Sequence, residues 1–196
     1  MYRVAVFVGS TRPTSSNLKL AKALEKLAAG KLAFDYIEIG NLPFYDDALW
    51  NDPPAEVIRL KREIAAADAV LFVTPEYNRS IPGLLKNAID WPSRPYGDGV
   101  WSGKPAAIAG ATGGVSGTAA AQAHLRSILP VHGIALMGAP EIYFQSRPGA
   151  FDDDGNITDE RLRSNLGVWV DRFTDWIAKV GTPRTDADVE RQSSAA

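Results

Sequence analysis

An apolar strand followed by a loop of small hydroxyl residues is the feature that most constrains the fold of this chain. Residues 4–8 read Val-Ala-Val-Phe-Val without polar alternation, which is typical of a strand covered on both faces of a parallel sheet. The loop at residues 9–17 leads into a helix with Leu20, Leu24 and Leu27 on one stripe. A helix that starts beside a strand end directs its free N–H groups at the loop, so the pattern predicts an anion site.

The loop carries hydrogen-bond donors that suit a terminal phosphate rather than a pyrophosphate. It lacks the lysine and second glycine of a nucleoside triphosphate loop, and it has only one glycine of the G-x-G-x-x-G dinucleotide fingerprint. Hydroxyls and a guanidinium can donate to a phosphate without crowding the backbone. From these residues alone, a polar turn capped by Ser15 or Thr14 remains an alternative. The predicted phosphate ligands are Ser10, Arg12, Ser15, Ser16 and Asn17.

Strand and helix patterns alternate along the rest of the chain, which predicts a parallel sheet with helices on both faces. Further strands are expected at residues 33–39, 68–73, 104–109, and 133–137 with 141–144, the last interrupted at 138–140. Further helices are expected at residues 56–66, 81–91, 118–129 and 158–180. We expect an α/β, flavodoxin-like three-layer sandwich whose five-stranded sheet has the order 2-1-3-4-5. Residues 1–181 would form one domain, and the polar tail at 182–196 is predicted to be disordered.

Two more unusual loops follow the third and fourth strands, at residues 74–80 and 110–117. In the order 2-1-3-4-5, strands 1, 3 and 4 are neighbours, so the three loops would meet at the carboxyl edge of the sheet. A phosphate on the first loop and a flat polar ring between the other two describe flavin mononucleotide (FMN). Backbone N–H groups around Gly113 could stabilise charge on that ring. The residues predicted to border it are Pro75, Glu76, Tyr77, Asn78, Arg79, Ser80, Thr112, Gly113 and Gly114.

Two segments resemble the NADPH-dependent FMN reductase family. Residues 9–17, Gly-Ser-Thr-Arg-Pro-Thr-Ser-Ser-Asn, resemble its G-S-x-R-x-x-S-x-N loop, and residues 74–91 are similar to its T-P-E-Y-N-x-S-x-P-x-x-L-K-N-A-I-D-W segment. The chain looks closest to the branch of soluble chromate, quinone and azo reductases. The resemblance implies non-covalent FMN, NADPH or NADH as donor, and a homodimer or homotetramer with the active site at a subunit interface.

The expected activity is therefore FMN-dependent oxidation of NAD(P)H by a ping-pong route. Hydride would pass from the nicotinamide to flavin N5, and a quinone, azo, nitro, flavin or metal-oxyanion acceptor would then take two electrons. No catalytic side chain is predicted, because the flavin performs the chemistry. The alternatives are a flavin reductase that supplies reduced FMN to a monooxygenase and a non-enzymatic electron carrier.

Composition argues against several other classes of function. A formal charge of −2 without a basic segment argues against nucleic-acid binding, and no run reaches the roughly 18 apolar residues of a membrane span. The N-terminus has no signal-peptide pattern, which predicts a cytoplasmic protein. The absence of cysteine excludes thiolate metal sites, and His124 and His132 lack metal-ligand spacing. The Asp-rich segment at 152–155 does not fit a calcium loop, since Ala150 and Arg161 occupy positions that need carboxylates.

Some residues allow two interpretations at this stage. Glu76 is expected to order a turn rather than to donate a proton, because flavin hydride transfer needs no protein acid. Arg126 and Glu141 occupy positions near which some relatives of the family place contacts between subunits. A group of apolar residues in a Pro/Asp loop could pack beneath it or cover a partner subunit. These residues are Leu42, Phe44, Tyr45, Leu49 and Trp50.

Overall fold

Buried parallel strands form the centre of the computed structural model, which describes residues 1–181. The order is β2-β1-β3-β4-β5, with β6 also paired to β4, and every pair of strands is parallel. The predicted order is therefore confirmed, whereas the predicted tail at 182–196 lies outside the described residues. The strands are β1 (Tyr2–Val8), β2 (Leu32–Tyr36), β3 (Ala69–Thr74), β4 (Pro105–Thr112), β5 (Ala135–Leu136) and β6 (Ile142–Gln145).

Helices cover both faces of this sheet, as the alternating pattern predicts. The helices are α1 (Ser16–Leu27), α2 (Ala55–Ala66), α3 (Gly83–Asp90), α4 (Ala119–Ile128) and α5 (Glu160–Val180). α1 and α5 pack on one face, and α2, α3 and α4 pack on the other. Within residues 1–181, no helix has both the length and the apolar character needed to cross a membrane.

The two central strands explain why the sheet has two cores. All six residues of β3 are buried, and Val4, Ala5, Val6 and Phe7 of β1 are inaccessible to solvent. Successive side chains of a strand point to opposite faces. Val4 and Val6 accordingly pack with the core beneath α1 and α5, while Ala5 and Phe7 pack with the opposite core. The uninterrupted apolar pattern of these strands thus reflects burial on both sides.

The expected fifth strand exists as two pieces that pair with different parts of β4. β5 lies beside residues 105–106, and β6 lies beside residues 109–112. Residues 138–140 separate them, where the sequence predicts an interruption. Pro140 has no backbone N–H to donate to a ladder. The second piece brings Gln145 and the residues after it to the carboxyl edge of the sheet, next to the end of β4.

The aromatic loop after β2 packs mainly onto the body of the protein. Asn87 on α3 bonds to the backbone of Pro43 and Tyr45 at 2.9 and 2.8 Å, and the Trp91 indole also donates to Pro43 O. The side chains of Leu42, Tyr45, Leu49 and Trp50 pack against the core, which settles their role within this chain. Phe44 differs, because 85% of it is exposed between the two anchored neighbours.

Candidate active site

The three loops predicted to form a site meet at one edge of the sheet. We define loop 1 as residues 9–15, loop 2 as residues 75–82 and loop 3 as residues 113–118. A Cβ added at Gly9 would lie 3.0 Å from Pro75 Cδ, which places loop 1 against loop 2. Asn17, just after loop 1, bonds to the backbone of β4 one residue before Thr112, and Glu76 of loop 2 bonds to the start of α4. Loop 1 is thus fixed to loop 2 and to the strand before loop 3, and loop 2 is fixed to the helix after loop 3.

Loop 1 presents free donors at the start of α1. Ser15 is the N-cap, and its hydroxyl accepts a 3.2 Å hydrogen bond from the Asn17 N–H. Arg12 is exposed, and the residues that the structure describes offer its guanidinium neither a carboxylate nor another acceptor. The partial positive charge of a helix start adds to that of the arginine. The arrangement therefore attracts an anion.

The Asn17 side chain has a structural partner that its sequence motif does not reveal. Its Nδ2 donates to Ala111 O at 2.9 Å, and its Oδ1 accepts from Ala111 N at 2.8 Å. β3 ends at Thr74, which pairs with Gly110, so Ala111 is one residue beyond the last paired position. The amide of Asn17 makes the two bonds that a neighbouring strand would make. Its direct contact with phosphate stays a prediction.

Loop 2 contains a tight turn with a strained backbone. Tyr77 and Ser80 exchange two backbone hydrogen bonds of 2.9 Å, and the central residues Asn78 and Arg79 have φ values of 50° and 66°. Positive φ at both central positions is the conformation of a type I′ turn, which costs free energy for a residue other than glycine. The turn leaves the Tyr77 side chain 54% exposed at the edge of the sheet. Loop 2, which is predicted to border the ring, therefore carries an exposed aromatic side chain.

Glu76, which the sequence predicts to order a turn, bonds to a helix that the sequence does not identify. Its Oε2 accepts from the N–H groups of Ala120 and Ala121 at 3.0 and 3.2 Å, in the first turn of α4. Only 9% of its side chain is exposed, and Arg79 Nη1 lies 3.5 Å from its other oxygen. Loop 2 therefore caps the helix that follows loop 3.

Loop 2 and α4 make a second contact, which the sequence did not predict. Ser80 Oγ lies 2.9 Å from His124 Nδ1. The sequence assigns His124 only an ordinary packing or surface role, because a lone histidine carries no spacing signal. Its place one turn after Ala120 brings it to Ser80 only when loop 2 lies along α4.

The glycines of this edge divide into two kinds. A Cβ at Gly110 would lie 2.0 Å from Thr118 Oγ1, and one at Gly117 would lie 2.7 Å from Tyr143 Cβ, so the fold itself requires both. A Cβ at Gly113 or Gly114 would meet no atom closer than 3.9 Å, and neither residue has a positive φ. Packing does not account for glycine at these two positions, whereas close approach of a ligand to the backbone does.

The end of β6 and the residues after it complete the surroundings of loop 3, although no sequence motif marks them. Gln145 Nε2 lies 3.4 Å from Gly113 O, and its Oε1 accepts from Arg147 Nε and Nη2 at 3.0 and 2.6 Å. Among residues 1–181, no carboxylate pairs with Arg147. Nearby, burial and a hydrogen bond to Glu141 raise the pKa of Tyr143 above its ordinary value. Glu141 also pairs with Arg126 at 3.1 Å within the chain, and their predicted contact between subunits stays a prediction.

Comparison with protein families identifies the family of this chain. The model described as NADPH-dependent FMN reductase matches residues 2–148, which include all three loops. The chain belongs to the NADPH-dependent FMN reductase family. It is thus an oxidoreductase of the flavodoxin-like fold that uses FMN and NAD(P)H.

Individual relatives agree with this assignment over nearly the whole chain. A 2-hydroxy-1,4-benzoquinone reductase from Burkholderia sp is 46% identical over 175 residues, covering 89% of this chain and 96% of that protein. A quinone reductase from Pseudomonas putida is 46% identical over 178 residues, covering 90% of this chain and 95% of that protein. Among solved structures, the flavoenzyme NAD(P)H:(acceptor) oxidoreductase FerB from Paracoccus denitrificans has a TM-score of 0.90 and 52% identity. That match covers 93% of this chain and 100% of FerB.

The residues of the three loops fit FMN chemically. The free guanidinium and hydroxyls at the start of α1 suit a phosphate dianion, since charge-assisted hydrogen bonds are the stronger kind. The glycines of loop 3 leave room at a backbone whose N–H groups can approach a planar ring. Loop 2 supplies an exposed aromatic side chain, Tyr77. The edge therefore combines a cationic loop with a glycine-containing loop and an aromatic side chain, and these are groups that suit FMN.

Proposed function

We propose that this member of the family is an NAD(P)H:quinone oxidoreductase whose FMN binds across the three loops. The observation that carries the proposal is that the three loops meet at one edge of the sheet. Residues 1–181 offer the Arg12 guanidinium of this edge no carboxylate partner, and packing does not require its glycines at 113 and 114. The names of the relatives support a quinone as acceptor, since two proteins at 46% identity are quinone reductases.

In this proposal, loop 1 holds the phosphate end. Arg12 provides the countercharge, and the hydroxyls of Ser10 and Ser16 donate hydrogen bonds to phosphate oxygens. Ser15 and Asn17 already have partners in the fold, so they hold the start of α1 in place and contribute mainly through its backbone. The phosphate end therefore depends on one charged side chain and one helix start.

Loops 2 and 3 then border the ring system. Tyr77 and the peptide groups at 75–80 lie along one side, and the backbone at 112–114 lies along the other. N–H groups of Gly113 and Gly114 are placed to stabilise negative charge where it develops. Glu76 holds loop 2 next to loop 3 through its bonds to the start of α4. No side chain is assigned a proton-transfer role.

FMN, when bound, takes a hydride from NAD(P)H and afterwards delivers two electrons to the acceptor. The hydride carries two electrons and one proton, so NAD(P)⁺ leaves, and a quinone becomes a hydroquinone after it takes up a second proton from solvent. The chain's own residues bind the two substrates in turn over the face that loops 2 and 3 leave open. One shared face requires the first product to leave before the acceptor enters, which predicts ping-pong kinetics.

Anaerobic reduction of the purified flavoprotein tests the proposal. We expect NADPH or NADH to bleach the flavin absorbance and 1,4-benzoquinone to restore it, with parallel lines in double-reciprocal plots of the steady-state rate. Flavin that stays coloured with both donors would refute an enzyme and favour an electron carrier. Bleaching followed by release of the flavin, with no reaction towards quinone, would favour a reductase that supplies reduced FMN.

We further propose a homodimer or homotetramer in the cytoplasm, as the family resemblance and the composition indicate. The exposed Phe44 is an apolar group on an anchored loop, which supports burial against another copy of the chain. Light scattering after size-exclusion chromatography measures the assembly, and a monomer at micromolar concentration would refute it. Cell fractionation tests the location.

A further inference from the structure

We propose that the Glu76 carboxylate lowers the reduction potential of FMN by neutralising the positive start of α4 beside the ring. The inference rests on the proposed function, because it takes the ring to lie between loops 2 and 3. It goes further in assigning one side chain a defined effect on the reduction potential of the bound flavin. Glu76 contacts no reacting atom and is therefore a tuning and positioning residue.

The first argument is the burial of a full charge at a helix start. Glu76 is 91% buried by side-chain exposure, and both helix bonds reach the same oxygen. Burying a carboxylate costs free energy unless it is paired. The partial positive charge at the start of α4 offsets that cost. The negative charge is therefore held firmly at the point where loop 2 meets the helix that follows loop 3.

The second argument is that α4 has a local residue that could have capped it. Thr118 occupies the N-cap position but makes no side-chain cap bond, and its hydroxyl instead accepts from Gln122 Nε2 at 2.9 Å. Neutral Ser, Thr or Asn side chains cap helices well. Here the cap is instead a charged side chain from another loop. This cap fixes loop 2 to α4 and also places a negative charge next to the predicted ring position, and the charge-removing variant below separates these two roles.

The electrostatic consequence follows from the charge of a hydride. Transfer of a hydride adds one negative charge to the ring, so a nearby carboxylate disfavours the reduced form and lowers the potential. A positive helix start has the opposite effect. A unit charge acting over about 10 Å at an effective dielectric constant of about 20 changes an equilibrium constant by about tenfold. For two electrons, tenfold corresponds to about 30 mV.

The decisive variant is Glu76→Gln, which keeps an acceptor oxygen for α4 and removes the charge. We expect the two-electron potential of the bound FMN, measured against reference dyes during slow enzymatic reduction, to rise by about 30 mV. Bleaching by NADPH should become faster and reoxidation by 1,4-benzoquinone slower. A purely structural role would weaken FMN binding without moving the potential in a defined direction.

Two further variants give the test a sign and a baseline. Arg79→Gln removes the cation next to Glu76 and should lower the potential, by less because the Arg79 side chain is 78% exposed. Asp159→Asn removes a carboxylate that caps α5 by a 2.8 Å bond to Leu162 N, and this helix follows none of the three loops. Its FMN potential should equal that of the unaltered protein.

The outcomes separate this inference from the proposed function. If the unaltered protein is bleached by NADPH and Glu76→Gln binds FMN with an unchanged or lower potential, the inference is wrong and the proposed function stands. If Glu76→Gln does not fold or does not retain FMN, Arg79→Gln decides, and an unchanged or raised potential there overturns the inference. If NADPH does not reduce the unaltered protein, the proposed function fails first.

Discussion

Replacing Asn17 by alanine tests whether the fold or the ligand uses this amide. The side chain is 3% exposed and bonds to both polar groups of the Ala111 peptide backbone, at 2.9 and 2.8 Å. Ala111 itself is 1% exposed, and β3 ends one position short of it. In Asn17→Ala, the Ala111 N–H and C=O would therefore lose their partners in a buried place.

The expected loss of stability follows from these two groups. Each buried polar group left without a partner costs about 1–3 kcal/mol. We therefore expect the free energy of unfolding of the FMN-free protein to fall by about 2–5 kcal/mol. For a chain of 196 residues, this corresponds to a melting temperature lower by about 5–15 °C. FMN affinity should fall as well, because the start of α1 loses its attachment to β4.

Urea unfolding of the FMN-free protein and fluorescence titration with FMN measure the two effects separately. Without flavin, ligand binding does not add to the measured stability. Asn51→Ala is the matched control, because its amide makes one exposed 3.1 Å bond to Ala48 O, and its loss should cost about 0.5 kcal/mol. A stability change below about 0.5 kcal/mol in Asn17→Ala would refute the structural role. If FMN affinity nevertheless fell a hundredfold, Asn17 would bind phosphate directly.

Three further predictions test the site and the fold. Gly113→Ala should weaken FMN binding at least tenfold and leave the stability of the flavin-free protein unchanged. Gly110→Ala should lower that stability, because its Cβ would lie 2.0 Å from Thr118 Oγ1. An equal loss of stability in the two variants, measured by calorimetry, would contradict this distinction. Arg12→Ala should raise the FMN dissociation constant about tenfold or more, because a charge-assisted hydrogen bond is lost. Arg62 is also exposed, and Arg62→Ala should leave the constant unchanged. Equal dissociation constants for the two variants in a fluorescence titration would remove Arg12 from the phosphate site. Burial lowers the pKa of His132 in the folded protein. As the pH falls through the ordinary value of about 6.5, the unfolded chain therefore binds more protons than the folded protein, and the free energy of unfolding decreases. His132→Gln should lose less stability between about pH 8 and pH 5 in urea unfolding, and a pH profile identical to that of the unaltered protein would refute this.

Local patterns predicted the fold because each depended on one element. The continuous apolar runs of β1 and β3 required burial on both faces, which only a central position in a sheet covered by helices provides. The interruption at 138–140 followed from glycine and proline in the chain itself. The motifs around Arg12 and Tyr77 pointed to FMN because each is one contiguous segment, in which residue types and spacing can be read directly from the sequence.

The identity of partners distant in the chain was decided only by the tertiary structure. Sequence assigned Asn17 to a phosphate, but Ala111 is 94 positions away and binds its amide. Sequence expected Glu76 to order a turn, and the helix it caps begins 43 residues later, at Ala119. Hydrogen bonds between loops depend on the strand order and on where each strand stops. Local pattern thus determined which loops gather at the carboxyl edge. Three-dimensional packing decided which further residues join them, which side chains are already bonded to the protein and which remain free for a ligand.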